Sequence, residues 1–423
     1  MSGLLPISHA VRSVLRRILT ARRFDFEGSP PAASKQLLID VSVIIQNDAR
    51  TGIQRVVRAL LGQLTVMSLN GFTVLPVFAT RDHGYCRAEM TKDGRLSPEG
   101  SRALSRRPVK ASAGDVFLGL DLAANILPYT EREIARWRRN GVAINFLVYD
   151  LLPLTRPEWF GTNTVRNFSR WIGVLARQAD RCICISKTVA HSLANEFFAR
   201  NLRHLPEIAD IPLGSDLSAT FPTSGLPENI SDLRRWLATH RVLLSVGTIE
   251  PRKGHRCVLQ AMSDYWRSHP HDDLALLVIG KPGWKTQQLQ SEFREHPDYG
   301  KRLLWLDWAS DELLSEVYSS AIGLVAASRG EGFGLPLLEA LAHGTPVLAR
   351  DLPVFREIGG ELLHYFSDDS PAALAAAIKT WLASRTEKGT VLDTPLPTWS
   401  DSALALVHTL GIQTEPVALG GNE

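Results

Sequence analysis

An apolar run, Leu37–Val41, sits inside the stretch Gln36–Ile45. Continuous rather than alternating hydrophobicity over so few residues predicts a strand covered on both faces, as in a parallel sheet. The segment Asn47–Ile53 breaks the run. Helical periodicity follows from about Gln54 to Asn70, and Gly71 ends it. Thr73–Phe78, Val116–Leu120, Ala143–Tyr149 and Arg181–Ile185 are the next predicted strands, with helical spacing between them. Pro, Gly and Ser then interrupt the pattern over Ile211–Pro227, as in an interdomain linker. The alternation restarts with strands Val242–Val246, Leu274–Ile279, Leu303–Trp305, Ile322–Ala326 and Pro346–Ala349, and with helices after Gly254 and over 336–343. This is an α/β pattern. It predicts two Rossmann-like doubly wound domains, 36–225 and 226–385, facing a cleft. In the tail 386–423, Trp399 and the stripe Ala403, Leu406 and Val407 predict a helix crossing back to the first domain.

Residues 1–35 stand apart as a leader and linker. Ile7, Val11, Val14, Leu15 and Ile18 recur at helical spacing among Arg12, Arg16, Arg17, Arg22 and Arg23, and the segment holds six Lys/Arg against two Asp/Glu. A basic amphipathic helix over 5–23 suits either an anionic membrane surface or a docking face on protein. Elsewhere the charge is nearly balanced. A net +3 over 423 residues carries no nucleic-acid footprint. No apolar stretch reaches the roughly 20 residues of a membrane-spanning helix. Cys86, Cys182, Cys184 and Cys257 lack paired C-x-x-C spacing, which excludes a zinc knuckle and agrees with a reducing cytoplasm.

The chemistry gathers in two strand-to-helix loops. In Glu331-Gly332-Phe333-Gly334-Leu335-Pro336-Leu-Leu-Glu339, two glutamates flank a Gly-x-Gly turn, and Pro336 suits the first turn of a helix. The N-terminus of that helix would offer free amides and a positive dipole end to a phosphate. Glu331 would face the cleft from the loop, and Glu339, one turn into the helix, would accept both hydroxyls of a ribose. The second loop runs Ser245-Val-Gly247-Thr248-Ile-Glu-Pro-Arg252-Lys253-Gly254. Its Arg252 and Lys253 supply fixed cations for a diphosphate leaving group. No D-x-D pair occurs in the chain, so the cations rather than a metal are expected to neutralise that charge.

Both loops resemble the donor-binding loops of family-4 retaining glycosyltransferases of the GT-B fold. The resemblance implies that Glu331 contacts the transferred sugar, Glu339 the ribose, and Lys253 the diphosphate. Gly247, Thr248, Gly332, Phe333, Gly334 and Leu335 then line the donor. Many members carry Arg where Thr248 stands, so that charge falls to Arg252. In the first half, Asp48-Ala-Arg-Thr-Gly52-Ile-Gln-Arg55 resembles the family's glycine loop. There Gly52 lets the loop close over the diphosphate, and Arg55 faces either the phosphate or the core edge. Tyr149-Asp150-Leu-Leu-Pro153 with Pro157-Glu-Trp159 resembles the acceptor-side segment. Tyr149 replaces a frequent His, which leaves Tyr149 and Asp150 as the polar groups beside the reacting carbon. Ile185-Ser186-Lys187 also matches, with Ser186 and Lys187 serving equally as a helix cap and first-turn residue.

The resemblance further implies a nucleotide sugar as co-substrate, GDP-mannose favoured, with no cofactor and no metal. It implies a glycan or lipid-linked glycan acceptor in surface-polysaccharide synthesis, such as O-antigen or lipopolysaccharide, and a cytoplasmic enzyme touching the inner face of the membrane. Three other readings share the fold class. An NAD-dependent oxidoreductase lacks its G-x-G-x-x-G after the first strand. An epimerase or a pyridoxal-phosphate-dependent phosphorylase is separable by assay. The third, of a different class, is a non-catalytic nucleotide-sugar-binding scaffold, favoured by Tyr149 in place of His.

Overall fold

The computed structural model describes residues 34–91, 94–99, 107–202, 205–217, 225–228, 230–384 and 395–415. The leader 5–23, part of the linker and part of the tail lie outside them. The first sheet contains β1 (Lys35–Asp40), β2 (Phe72–Phe78), β3 (Cys86–Met90), β4 (Leu96–Pro98), β5 (Val116–Gly119), β6 (Ala143–Val148), β7 (Arg181–Cys184) and β8 (Glu207–Asp210), in the order β4-β3-β2-β1-β5-β6-β7-β8. The second contains β9 (Arg241–Val246), β10 (Leu274–Ile279), β11 (Leu303–Leu306), β12 (Gly323–Ala326), β13 (Val347–Arg350) and β14 (His364–Phe366), in the order β11-β10-β9-β12-β13-β14. All pairings in the second sheet are parallel. In the first, β3 pairs antiparallel with β2 and with β4.

Central strands explain the apolar runs. Leu37, Leu38 and Ile39 of β1, and all of β10, are buried because helices cover both faces of each sheet. Burial and extension nonetheless part at the end of β1. The strand stops at Asp40, five residues short of the limit at Ile45 predicted for the strand Gln36–Ile45. Val41 and Ile44 stay buried while the backbone turns. The Asp121 carboxylate accepts from the Val43 and Ile44 amides at 2.8 and 2.7 Å, and Asp40 accepts from the Ser42 amide at 2.8 Å. Those amides are thereby withdrawn from any ladder. The following helix spans Gly52–Val66, closing before Asn70, and Thr51 caps it with Gln54 in a reciprocal capping box. Edge strands β4, β8 and β14, and β3 beside β4, escape the periodicity argument, because β4 and β8 contain no fully buried position, β14 is short and β3 ends on two exposed residues.

Near the C-terminus, Thr398 caps a helix over Trp399–Thr409. Its Trp399, Ala403, Leu406 and Val407 are buried in the same core as β1 and the helix Gly52–Val66, and the Trp399 amide donates to Asp216 at 2.8 Å. All four cysteines are buried and unpaired with one another.

Asp40 makes this core pH-sensitive. Burial pushes its carboxyl up to about 7 against the hydrogen bonds of Ser42 and Tyr85, with Asp121 adding repulsion. The native state therefore holds a proton between about pH 4 and 7 that the unfolded chain has released, and stability falls as pH rises through that window. In Asp40→Asn this contribution is absent. The stability of wild type relative to the variant, measured by urea unfolding, should decline from pH 4 to 8; a constant difference would remove Asp40 as the source.

Candidate active site

The two sheets present their strand-end loops to each other, and the candidate residues meet there. Residues 247–254 connect β9 to the helix His255–Ser268. Gly254 must be glycine, since its φ is +74° and a Cβ would lie 2.2 Å from the Ala327 carbonyl. That close approach brings Lys253 against the loop after β12. Buried His255 holds the other side, contacting the Gly247 carbonyl and the Ser245 hydroxyl at 3.1 and 3.2 Å. Burial, reinforced by Lys253, lowers its pKa to about 4 and keeps the ring neutral.

Glu331 lies between both cations. Lys253 donates to one carboxylate oxygen at 2.6 Å, and Arg252 donates to the other at 2.8 Å. Burial alone would raise the pKa of Glu331, but the charges of Lys253 and Arg252 outweigh it and hold the carboxyl at about 2. Arg252 also donates to Glu250 at 2.9 Å and to the Gly330 carbonyl at 3.1 Å. Burial disfavours its charge, yet Glu331, Glu250 and Asp150 together raise its pKa. Asp150 is half-buried beside this group. Its pKa is raised by burial, with Arg252 opposing, and it accepts from the Leu152 amide at 3.0 Å.

The Gly-x-Gly turn behaves as a close-approach element. A Cβ on Gly332 would lie 1.9 Å from the Tyr149 carbonyl oxygen and 2.9 Å from Asp150 Cβ, and the Ser186 hydroxyl donates to the Gly332 carbonyl at 2.8 Å. Gly334 precedes the helix Leu335–Ala342 and offers no side chain to cap it. Pro336 occupies the first turn, Phe333 packs on the core of the first sheet, and Leu335 faces Gly52 at 3.9 Å from its ideal Cβ position. Gly247 and Thr248 border Lys253 and Gly283.

Two expectations need correction. The Tyr149 hydroxyl does not stand beside a reacting carbon. It donates to the Leu120 carbonyl at 2.7 Å inside the first core, where the side chain is 2% exposed. Only the Tyr149 backbone reaches Gly332, because β6 ends at Val148 and the side chain continues the inward face. Arg55 faces neither the phosphate-side loops nor the core edge. It crosses to the second half, donating to Glu339 at 2.7 Å and Asp311 at 2.6 Å. Glu339 is correspondingly buried, its second oxygen accepting from the Tyr318 hydroxyl at 2.8 Å.

Several residues here were invisible to motif reading. Asp311 and Tyr318 lie seven apart on the helix Asp311–Ser320, hence on one face, but nothing in the sequence names their partners. Glu357 accepts from the Lys187 and Thr188 amides at 2.7 and 2.8 Å, capping a helix in the opposite half, while Ser186 is that helix's own N-cap. Lys281 donates to the Ala49 carbonyl at 3.1 Å, and the Trp284 indole to that of Trp159 at 2.8 Å. The halves are thus joined along the cleft. Among the described residues, no cluster of three His, Cys, Asp or Glu side chains has metal-site geometry, and no helix is long and apolar enough to cross a membrane.

Residues 230–392 match the family model described as glycosyl transferases group 1, spanning β9 to β14 and both loops. These residues are similar to group 1 glycosyl transferases. The whole chain is 38% identical over 387 residues to the serotype-specific mannosyltransferase WbdA of Escherichia coli, a match covering 90% of this chain and 45% of that protein. The chain spans about half the length of the curated relatives it matches over most of its own length. Among solved structures, Anabaena Alr3699/HepE in complex with UDP and glucose superposes with a TM-score of 0.56 at 14% identity, covering 89% of this chain and 95% of that one. Sucrose-phosphate synthase from Thermosynechococcus elongatus gives 0.54 at 18% identity, covering 87% and 92%. At such identities the likeness is one of fold. The arrangement of the two sheets is the GT-B fold, and the residues that match the group 1 model lie in its second half.

Proposed function

We propose that this chain is a retaining hexosyltransferase that moves mannose from GDP-mannose to a glycan or lipid-linked glycan acceptor of O-antigen type, without a metal. The observation that carries the reading is Glu331 held between Lys253 and Arg252, at the mouth of the helix bearing Glu339, within the residues that match the group 1 model. The choice of mannose rests on the likeness to WbdA, whose name specifies mannosyl transfer.

Glu331 neutralises the cations. A bound diphosphate would share Lys253 and Arg252 with it, leaving a carboxylate oxygen for a hydroxyl of the sugar. The acceptor oxygen then bonds to the anomeric carbon as the carbon–oxygen bond to the diphosphate breaks. The acceptor proton passes to a phosphate oxygen, and the positive charge on the sugar peaks between these events. Lys253, Arg252 and the amide end of the helix Leu335–Ala342 stabilise the leaving charge where it develops. Asp150, half-buried against the same cations, supplies the first half's polar group at the reacting centre. A retaining course fits attack from the leaving-group face.

A thermal-shift panel of GDP, UDP, ADP, GDP-mannose, UDP-glucose and NAD tests the donor. Selective binding raises apparent stability by about 2.7 kcal/mol at a hundred times the dissociation constant. GDP and GDP-mannose should shift wild type and not Glu339→Ala; a response to NAD alone would sink the reading. Transfer should persist in EDTA, and loss of activity restored by Mg²⁺ would overturn metal independence. The membrane role of residues 5–23 remains part of this proposal, with vesicle binding expected to vanish when residues 1–30 are deleted.

A further inference from the structure

Arg55 is the first half's deepest reach into the second. It extends from the first turn of the helix Gly52–Val66 to Glu339 on the helix Leu335–Ala342 and to Asp311 on the helix Asp311–Ser320. All three side chains are largely covered, at 16, 6 and 20% exposure for Arg55, Glu339 and Asp311. Arg55 and Tyr318 fill one oxygen of Glu339 each. A planar guanidinium held by two carboxylates is strongly directional, and its charge is favoured further by both partners although burial opposes it.

This placement bears on the donor, and it rests on the assignment of Glu339 to the ribose. With Arg55 on one oxygen and Tyr318 on the other, a pair of ribose hydroxyls must compete with Arg55 for this carboxylate. We infer that Arg55 is a latch: it occupies the ribose carboxylate from the opposite half, holds the two halves together there, and is displaced from Glu339 when a nucleoside diphosphate enters. Asp311, on the same half as Glu339, already pairs with the other edge of the guanidinium, so displacement from Glu339 alone leaves Arg55 with a carboxylate partner. The neighbouring cross-cleft contacts are weaker anchors. Lys281 and Trp284 donate to neutral carbonyls, and Glu357 meets backbone amides at an exposed edge. None of these three engages a donor-side carboxylate. Arg55 alone among these contacts therefore couples closure of the halves to occupancy of the nucleotide site.

A latch and a donor contact differ in sign. If Arg55 bound the donor directly, its loss would weaken nucleotide binding. If it competes for Glu339, the nucleotide's apparent affinity in wild type is reduced by the fraction of molecules that are latched, and removing the latch restores it. Titration calorimetry of GDP and UDP into full-length wild type, Arg55→Met and Arg55→Gln is the test, with unliganded scattering profiles recorded for each. The expected result is nucleotide affinity raised about fivefold or more in both folded variants, with a larger radius of gyration than wild type. An unchanged or lowered affinity in a folded variant overturns the latch. The two variants guard against one failing to fold, since glutamine retains polarity and methionine the apolar stem. Failure of the underlying reading looks different: Glu339→Ala would then bind the nucleotide as wild type does, whatever Arg55 shows.

Discussion

Glu331→Gln should lower turnover by at least about a hundredfold while nucleotide affinity stays within about threefold of wild type, the scale found when one preorganised charge-stabilising group is removed from an active site. The amide keeps the volume of Glu331 and an acceptor oxygen, so Lys253 and Arg252 retain a partner, but it cannot carry the charge that faces a developing oxocarbenium. The carboxyl sits at about 2, so the charged form is the one present at every working pH. The same substitution tests stability. The variant leaves Lys253 and Arg252 beside Glu250 and Asp150, so the loss of stability should stay below the cost of a buried charge left without a partner, about 3–5 kcal/mol. Single-turnover rates with GDP-mannose, together with calorimetry of GDP, separate the two effects. Near-wild-type turnover in the folded variant would end the assignment of Glu331 to the transferred sugar.

Gly332→Ala should be comparably damaging by a different route. Its methyl group would fall 1.9 Å from the Tyr149 carbonyl oxygen, a backbone atom at the end of β6. Neither side can yield cheaply. The Gly332 carbonyl is held by Ser186, and the Tyr149 side chain is anchored by its bond to Leu120. The halves should therefore stay apart by more than a methyl radius, with each sheet still folded. A displacement of about 1 Å between reacting groups is enough to lose about a hundredfold in rate. The expected result is that loss, with circular dichroism unchanged and nucleotide binding retained in the second half. Wild-type turnover in Gly332→Ala would mean that the loops part during catalysis and that this contact is not needed for transfer.

The two predictions rest on features of different legibility. Glu331, Lys253 and Arg252 could be read from spacing, because each follows a buried strand and precedes a helix, and a strand-to-helix loop puts them on one rim. The partners of that rim could not. Asp311 and Tyr318 look like ordinary polar positions of a helix, and Arg55 looks like a first-turn residue of another, until the halves are placed together. Tyr149 shows the reverse error. Its place in a polar-looking segment suggested a cleft residue, but the side chain follows the alternation of β6 into the core.

The sequence by itself determined the strand-and-helix alternation, both loop motifs and the burial of the central strands. These follow from local periodicity and from the glycine and proline chemistry of single turns. It missed the short edge strands and misplaced the end of β1, because an apolar run records burial and the Asp121 carboxylate, distant in sequence, decides where extension stops. Only the tertiary structure decided what each polar group faces across the cleft. Ion pairs such as Arg55–Glu339 join positions 284 residues apart, and no local pattern constrains a contact whose geometry depends on how two independently wound sheets are set against each other.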